Sequence, residues 1–100
     1  MKKTNLSASG TSYYGVDIRT TVNDLIRVIG EPTYESNDGE DKTNFDWNCI
    51  TNEGHIVTIY DWKQYRPIGL DENINFHIGG MSFEQTVTAK NELLSMLNMK

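Results

Sequence analysis

The feature that most constrains the fold is a pair of alternating segments joined by a short turn. Phe45, Trp47 and Cys49 alternate with polar residues, and Asn52-Glu53-Gly54 follows as a hairpin turn. In the next segment, 55–62, both alternating phases contain apolar residues, which is typical of a central strand covered on much of both faces. The pattern therefore predicts an antiparallel hairpin whose second strand lies inside a sheet.

Two segments with helical spacing lie on either side of this hairpin. Thr21 is a good N-cap, apolar residues recur on one helical face from 22 to 29, and Gly30 and Pro32 end the helix. Ser82 caps a second helix near the C-terminus. The expected apolar stripe of the second helix comprises Phe83, Val87, Leu93, Leu94 and Leu97.

Two further alternating segments, at 14–18 and 74–78, complete a β-α-β-β-β-α order. This order predicts an α+β fold, a small antiparallel sheet with two helices packed on one face. One hundred residues is the size of one domain. We therefore expect residues 13–100 to form a single α+β domain, preceded by a flexible N-terminal arm at 1–12 whose residues are small and polar.

Charge and cysteine content exclude several classes of function. The net charge of −5 argues against general nucleic-acid binding, which needs a basic face. Cys49 is the only cysteine, so no intrachain disulfide can form and a cytoplasmic location is expected. No signal peptide is predicted, and no apolar run approaches the ~18 residues of a membrane span.

The residues that could support catalysis are few. His55, His77 and Cys49 show no spacing that suggests a nucleophile and base pair. No phosphate-binding glycine motif and no paired metal-ligand spacing occur in the sequence. We therefore expect a non-enzymatic protein with no catalytic residues, no metal and no cofactor.

A strip of aromatic and basic residues after the central strand is the first candidate for a ligand site. Trp62 and Tyr65 offer ring faces on which a planar base can stack. Lys63 and Arg66 offer a point charge and a planar fork for phosphate oxygens. The structural alternative is that Trp62 belongs to the core and that the cations are ordinary surface charges.

The second candidate is the strand end that leads into the last helix. Gly79 and Gly80 would let a ligand approach the backbone closely. The helix start at Ser82 favours an anion, and His77 can add a donor. The structural alternative is a tight turn with an ordinary helix cap. If the strands are adjacent, both features form one ligand-binding site, composed of Trp62, Lys63, Tyr65, Arg66, His77, Gly79 and Gly80.

Two strings carry a resemblance to a known group of proteins. They are Ile59-Tyr60-Asp61-Trp62-Lys63-x-Tyr65-Arg66 and Phe76-His77-Ile78-Gly79-Gly80. Together they resemble a family of small uncharacterised accessory proteins of bacteriophages. No activity comes with the resemblance. It implies action by binding, because small acidic phage proteins often inhibit a host enzyme or sequester a signalling molecule.

These observations lead to two hypotheses of different class. The first is a phage-type sponge that serves counter-defence by sequestering a small anionic nucleotide signal in the host cytoplasm. The alternative is a protein inhibitor that blocks a host defence protein through an acidic surface composed of Glu35, Asp38, Glu40 and Asp41. A homo-oligomer is expected, because a pocket that encloses a nucleotide is easier to build between small chains.

Overall fold

Alternating apolar residues place six strands in one antiparallel sheet within residues 1–98, the part of the chain that the computed structural model describes. The strands are β1 (Lys2–Lys3), β2 (Ser12–Thr20), β3 (Tyr34–Glu35), β4 (Phe45–Ile50), β5 (Ile56–Tyr60) and β6 (Ile74–Gly80). The helices, α1 (Val22–Ile29) and α2 (Phe83–Leu97), pack on one face of the sheet. The predicted α+β class and the order of the main elements are confirmed; β1 and β3 are two-residue additions.

The strand order across the sheet is β1-β4-β5-β6-β2, and β3 pairs with the same edge of β4 as β1 does. β4 and β5 form the predicted hairpin, in which the amide of Thr51 donates to the carbonyl of His55 at 2.9 Å. β5 lies between β4 and β6, and its residues are all buried or half-buried. This confirms the central position that its two apolar phases predict.

The core lies between the sheet and the helices. Trp47 of β4 and Phe76 of β6 are fully buried there. The Trp47 indole N–H donates to the carbonyl of Gly30 at 2.9 Å, because a buried indole N–H needs an acceptor. That bond ties the end of α1 to the sheet. The helix begins after the N-cap Thr21 and ends at Gly30, as the sequence predicts.

The buried face of α2 differs from the predicted stripe. Two members of that stripe, Phe83 and Leu94, are 52% and 40% exposed. The side that carries Thr86 and Ala89 is buried instead. Thr86 Cγ2 lies only 2.9 Å from the place that a Cβ on Gly80 would occupy. Leu93 of the predicted stripe is fully buried as expected. Close approach of the helix to the glycine therefore adds Thr86 to the buried side of α2 and leaves Phe83 and Leu94 partly exposed.

The segment before β2 crosses the sheet from one edge to the other. β1 pairs with β4, and the amide of Thr4 donates to the carbonyl of Asn48 at 3.0 Å. β2 starts at the opposite edge of the sheet, so residues 5–11, called the strap below, must pass between the two edges. The flexibility expected for residues 1–12 stays a prediction.

Candidate functional site

The face of the sheet away from the helices carries two rows of side chains across four strands. Because side chains alternate along a strand, cross-strand partners share a face. The first row, read from β4 to β2, is Asp46, Tyr60, His77 and Asp17. The second row, in the same direction, is Asn48, Thr58, Gly79 and Tyr13. These eight residues define what we call the open face.

Four rings on or beside the open face contact one another and form what we call the aromatic cluster. Its members are Tyr13, Tyr60, Trp62 and His77. The Tyr13 and His77 rings are stacked, with centroids 3.8 Å apart and planes within 8°. Trp62 lies 6.3 Å from His77 at 27°, and Tyr60 meets both edge-on at 5.5 and 5.9 Å. A planar ligand can stack on these rings and so extend the cluster.

A bulge in β2 brings Tyr13 to this position. The register between β2 and β6 shifts between Tyr13 and Asp17, and Gly15 takes a φ of +88° there, which glycine adopts without strain. The Tyr13 hydroxyl donates to Asp17 Oδ1 at 2.7 Å, and this bond to a carboxylate raises the pKa of Tyr13 to about 12. His77 Nε2 lies 3.8 Å from the same oxygen. Asp17 therefore orients both rings of the stack.

A pocket of about 290 Å³ opens between the open face and the strap. This volume is near the lower end of the roughly 300–1,000 Å³ range of small-molecule sites. Asp46, Thr58 and Trp62 line the pocket, with Ala8 on the strap side. Gly79 lines it too, and a Cβ there would lie 2.6 Å from Thr58 Oγ1. The absence of a side chain at position 79 therefore keeps this part of the face clear.

A larger cavity of about 440 Å³ lies beside the hairpin turn, where Met1 and Lys2 meet residues 50–54. Its lining has no aromatic ring and no carboxylate. Recognition of a small molecule needs precisely placed polar groups beside apolar or aromatic surface. We therefore place the candidate site at the smaller pocket on the open face.

Two lysines lie close to Trp62, outside the residues that line the pocket, and we call their position the rim of the pocket. Lys42 Nζ is 5.8 Å and Lys63 Nζ is 5.6 Å from the centre of the Trp62 ring, within cation–π range. The amide of Lys63 donates to the carbonyl of Lys42 at 2.7 Å, which joins the loop before β4 to the loop after β5. Lys63 has a φ of +55°, a conformation that costs free energy and that is common at functional sites.

A buried polar network holds these two loops together. Asp61 is fully buried, and its Oδ1 accepts from the backbone amides of Asn44 and Phe45 at 2.8 Å each. The Asn44 side chain donates to Asp61 Oδ2 and to the carbonyl of Arg66. Asn37 exchanges two hydrogen bonds with the backbone of Ile68. These bonds hold the backbone next to Lys42 and Lys63 in place.

The structure brings part of the predicted ligand site together. Trp62 and Gly79 line the pocket. His77 and Lys63 lie against Trp62 at the distances given above. Trp62 is 38% exposed, so it is a surface ring, and the fully buried tryptophan of the chain is Trp47.

The other predicted residues lie outside the pocket lining. Arg66 makes a bidentate ion pair with Glu72, which raises the pKa of the guanidinium further and occupies its fork. Tyr65 is 55% exposed in the same loop. Gly80 faces the helices and accommodates α2, because Gly79 and Gly80 point to opposite faces of β6. The structure therefore does not bring Tyr65, Arg66 and Gly80 into the lining of this pocket, and their part in ligand binding stays a prediction.

Several residues of the site were not among the predicted ligand-binding residues. They are Tyr13, Asp17, Lys42, Asp46, Thr58 and Tyr60. The signal for Asp46 is present in the sequence, since it occupies the polar phase of β4, whereas Thr58 shares its phase with Ile56 and Tyr60. The signal becomes informative only when the strand order shows that Asp46, Thr58 and His77 lie on one face of the sheet.

Three further findings bear on the candidate site. Among residues 1–98, no group of three or more His, Cys, Asp or Glu side chains is arranged to hold a metal ion. Neither helix in that same range is long and apolar enough to cross a membrane. Comparisons with models of protein families, with curated proteins and with solved structures found no match to this chain.

Proposed function

We propose that this chain is a non-enzymatic binding protein that captures a small anionic ligand with a planar ring, of the nucleotide type, on its open face. One observation carries the proposal. The aromatic cluster lies beside a pocket, and the ammonium groups of two lysines are within 6 Å of the centre of one of its rings, Trp62. Ring faces stack on bases, and ammonium groups bind phosphates.

Each part of a nucleotide has a matching group in this arrangement. The base stacks on the aromatic cluster. The phosphate lies at the rim, near Lys42 and Lys63, and polar side chains of the open face such as Asn48 and Thr58 can hydrogen-bond the sugar. The overall charge of −5 does not oppose this, because lysines placed together can attract an anion locally on an acidic protein.

The chemistry of the side chains favours capture over catalysis. Cys49 is buried in the core, and burial raises the pKa of its thiol to about 12, so it has little thiolate character. His77 is held by its stack on Tyr13 and by the nearby Asp17 carboxylate. These contacts orient the imidazole as part of a binding surface.

The biological role that we propose follows from the resemblance to phage accessory proteins. A protein of this kind, present in the host cytoplasm, would act in counter-defence by sequestering a nucleotide signal. Thermal-shift and calorimetric titrations with linear and cyclic nucleotides test the binding function. We expect saturable binding that Trp62→Ala abolishes; a panel in which no nucleotide binds at millimolar concentration would remove the proposal.

The alternative is an inhibitor that binds a host protein through the acidic surface. One observation favours it: Asn37 and Asn44 fix the 36–44 loop, so the acidic side chains at 35, 38, 40 and 41 are presented on a rigid frame. A pull-down from bacterial lysate discriminates the two functions. A stoichiometric partner lost on charge reversal at Asp38 and Glu40 supports inhibition, whereas a co-purifying nucleotide supports capture.

A further inference from the structure

Asp46 is a pocket-lining carboxylate with an unused acceptor. Its Oδ1 is buried and has no hydrogen-bond partner within the described part of the chain. The residue lies in the first row of the open face, opposite Tyr60 of β5, and it lines the pocket beside Trp62. A buried acceptor left unpaired is costly, so its persistence in a fold needs an explanation.

A second carboxylate nearby shows what a purely structural role requires. Asp61 accepts three hydrogen bonds, from two backbone amides and the side chain of Asn44. All three bonds hold loops in place. Asp46 has no such set of donors at its Oδ1, and it lines a pocket instead of joining two loops. Because Asp46 lines the pocket, its carboxyl group is the acceptor that a group entering the pocket can meet.

The charge state of Asp46 suits an acceptor at neutral pH. Burial, and to a lesser extent the negative charge of Asp61, raises the pKa of Asp46 to about 6. A carboxyl group with that pKa is mostly ionised at pH 7. An ionised carboxylate only accepts hydrogen bonds, so it attracts N–H donors and repels carbonyl oxygens.

We propose that Asp46 selects the base of the captured nucleotide by accepting a hydrogen bond from an amino group on the ring edge. This inference rests on the proposed function, in which the aromatic cluster takes the ring and Lys42 and Lys63 take the phosphate. Adenine and cytosine carry such an amino group, whereas hypoxanthine and uracil carry a carbonyl at the same position. A site built to hydrogen-bond one group rejects the analogue that lacks it, because its own polar atom then stays unpaired.

Matched nucleotide pairs test the selection by isothermal titration calorimetry. CMP and UMP, and likewise AMP and IMP, have the same phosphate charge and nearly the same size. We expect CMP to bind at least about tenfold more tightly than UMP, and AMP than IMP, as a hydrogen bond to a charged group predicts. Asp46→Asn should reduce both preferences to within about threefold, because the amide offers a donor as well as an acceptor.

Two further variants separate selection from other effects. Glu53→Gln makes the same change of charge in the exposed hairpin turn, away from the pocket, and should keep both preferences. Asp46→Ala removes the acceptor and should lose them as Asp46→Asn does. Circular dichroism confirms that each variant is folded before titration.

The outcomes distinguish this inference from the function on which it rests. Equal binding of the paired nucleotides, a preference for UMP and IMP, or a preference that survives Asp46→Asn would overturn the role of Asp46 and leave nucleotide capture standing. Failure of all four nucleotides to bind would overturn the role of Asp46, and failure of the whole panel of linear and cyclic nucleotides would overturn nucleotide capture as well.

Discussion

The ring of Tyr13 lies flat against the imidazole of His77, on neighbouring strands whose register shifts between Tyr13 and Asp17. The carboxylate of Asp17 accepts from Tyr13 and lies near His77 Nε2, so it fixes the stack at the edge of the sheet. The Trp62 ring contacts the same imidazole and also lines the pocket. The stack therefore supports the ring on which we expect a ligand to lie.

Removing the Tyr13 ring tests this support. Tyr13→Leu should weaken nucleotide binding by about three- to tenfold, because an aromatic pair contributes about 0.5–1.5 kcal/mol beyond its buried area. Tyr13→Phe keeps the ring and loses only the hydroxyl bond to Asp17, so it should weaken binding less than Tyr13→Leu does. Calorimetric titration measures both. Equal effects of the two variants would mean that the hydroxyl, and not the ring, supports the site.

The two tryptophans separate binding from folding. Trp62→Ala should abolish nucleotide binding and cost only about 1 kcal/mol of stability, because the ring is partly exposed. Trp47→Ala should cost roughly 3–5 kcal/mol, because that ring is fully buried. Urea denaturation gives the free energies of unfolding. A large loss of stability in Trp62→Ala would indicate a core role for this ring.

Loss of the two rim lysines should weaken binding without unfolding the protein. The double variant Lys42→Gln, Lys63→Gln should lower affinity by about tenfold or more, since contacts to charged groups contribute roughly 1.5–3 kcal/mol. The affinity that remains should depend less on salt concentration. Arg66→Gln is the control, because Arg66 pairs with Glu72 outside the pocket lining. If Arg66→Gln weakened binding as much, the phosphate would lie elsewhere.

Asp46 predicts a pH dependence of stability with a definite sign. Burial raises the pKa of Asp46 in the folded protein to about 6 from an ordinary 3.8, and Tyr60 and Asp61 are its neighbours. The ionised carboxylate therefore costs stability above pH 6, and this cost disappears as the pH falls below about 4. Asp46→Asn should raise the free energy of unfolding by about 1–2 kcal/mol at pH 8, allowing for solvent screening.

The difference between Asp46→Asn and the unsubstituted protein should vanish at pH 4, where both side chains are neutral. Thermal or urea unfolding across pH 4–8 measures it. A stability difference that does not change with pH would mean that the carboxylate titrates normally in the folded chain.

A symmetric assembly stays a prediction of the sequence, and the surface offers a place for it. Tyr14, Met81 and Phe83 are each 42–52% exposed near the edge strand β2, and the Tyr14 hydroxyl donates to the Met81 carbonyl. Edge strands and exposed apolar patches favour association. Light scattering should report a dimer that Phe83→Ser weakens. A monomer at high micromolar concentration would contradict this.

The fold could be predicted from the sequence where local signals agree. The caps at Thr21 and Ser82 mark the helix starts, and the two apolar phases of 55–62 indicate a central strand. The burial of Leu93 on α2 agrees with the predicted stripe, but the burial of Thr86 could not be predicted, because it depends on the close approach of Thr86 to Gly80. Helical periodicity predicts burial of the larger apolar residues, and this prediction takes no account of a glycine on another strand.

The site could be predicted only in part, for a related reason. Trp62, Lys63, His77 and Gly79 carry visible chemistry, and the fold brings them close together. Arg66 looks equally suitable for a ligand contact in the sequence, but in the structure its guanidinium forms an ion pair with Glu72. Asp46 looks like an ordinary exposed strand residue in the sequence, but in the structure its Oδ1 is buried and the residue lines the pocket. Pairings between distant segments decide these outcomes.

The central claim, that the open face captures a nucleotide on Trp62, is tested most directly by the two indole N–H signals in a ¹H–¹⁵N spectrum. Trp47 donates its indole N–H to Gly30 in the core, whereas Trp62 lies at the pocket. On titration with AMP or CMP, the account predicts a saturable shift of the Trp62 signal and an unchanged Trp47 signal. A Trp62 signal that does not move while either nucleotide binds, or that does not move for any nucleotide up to millimolar concentration, would contradict it.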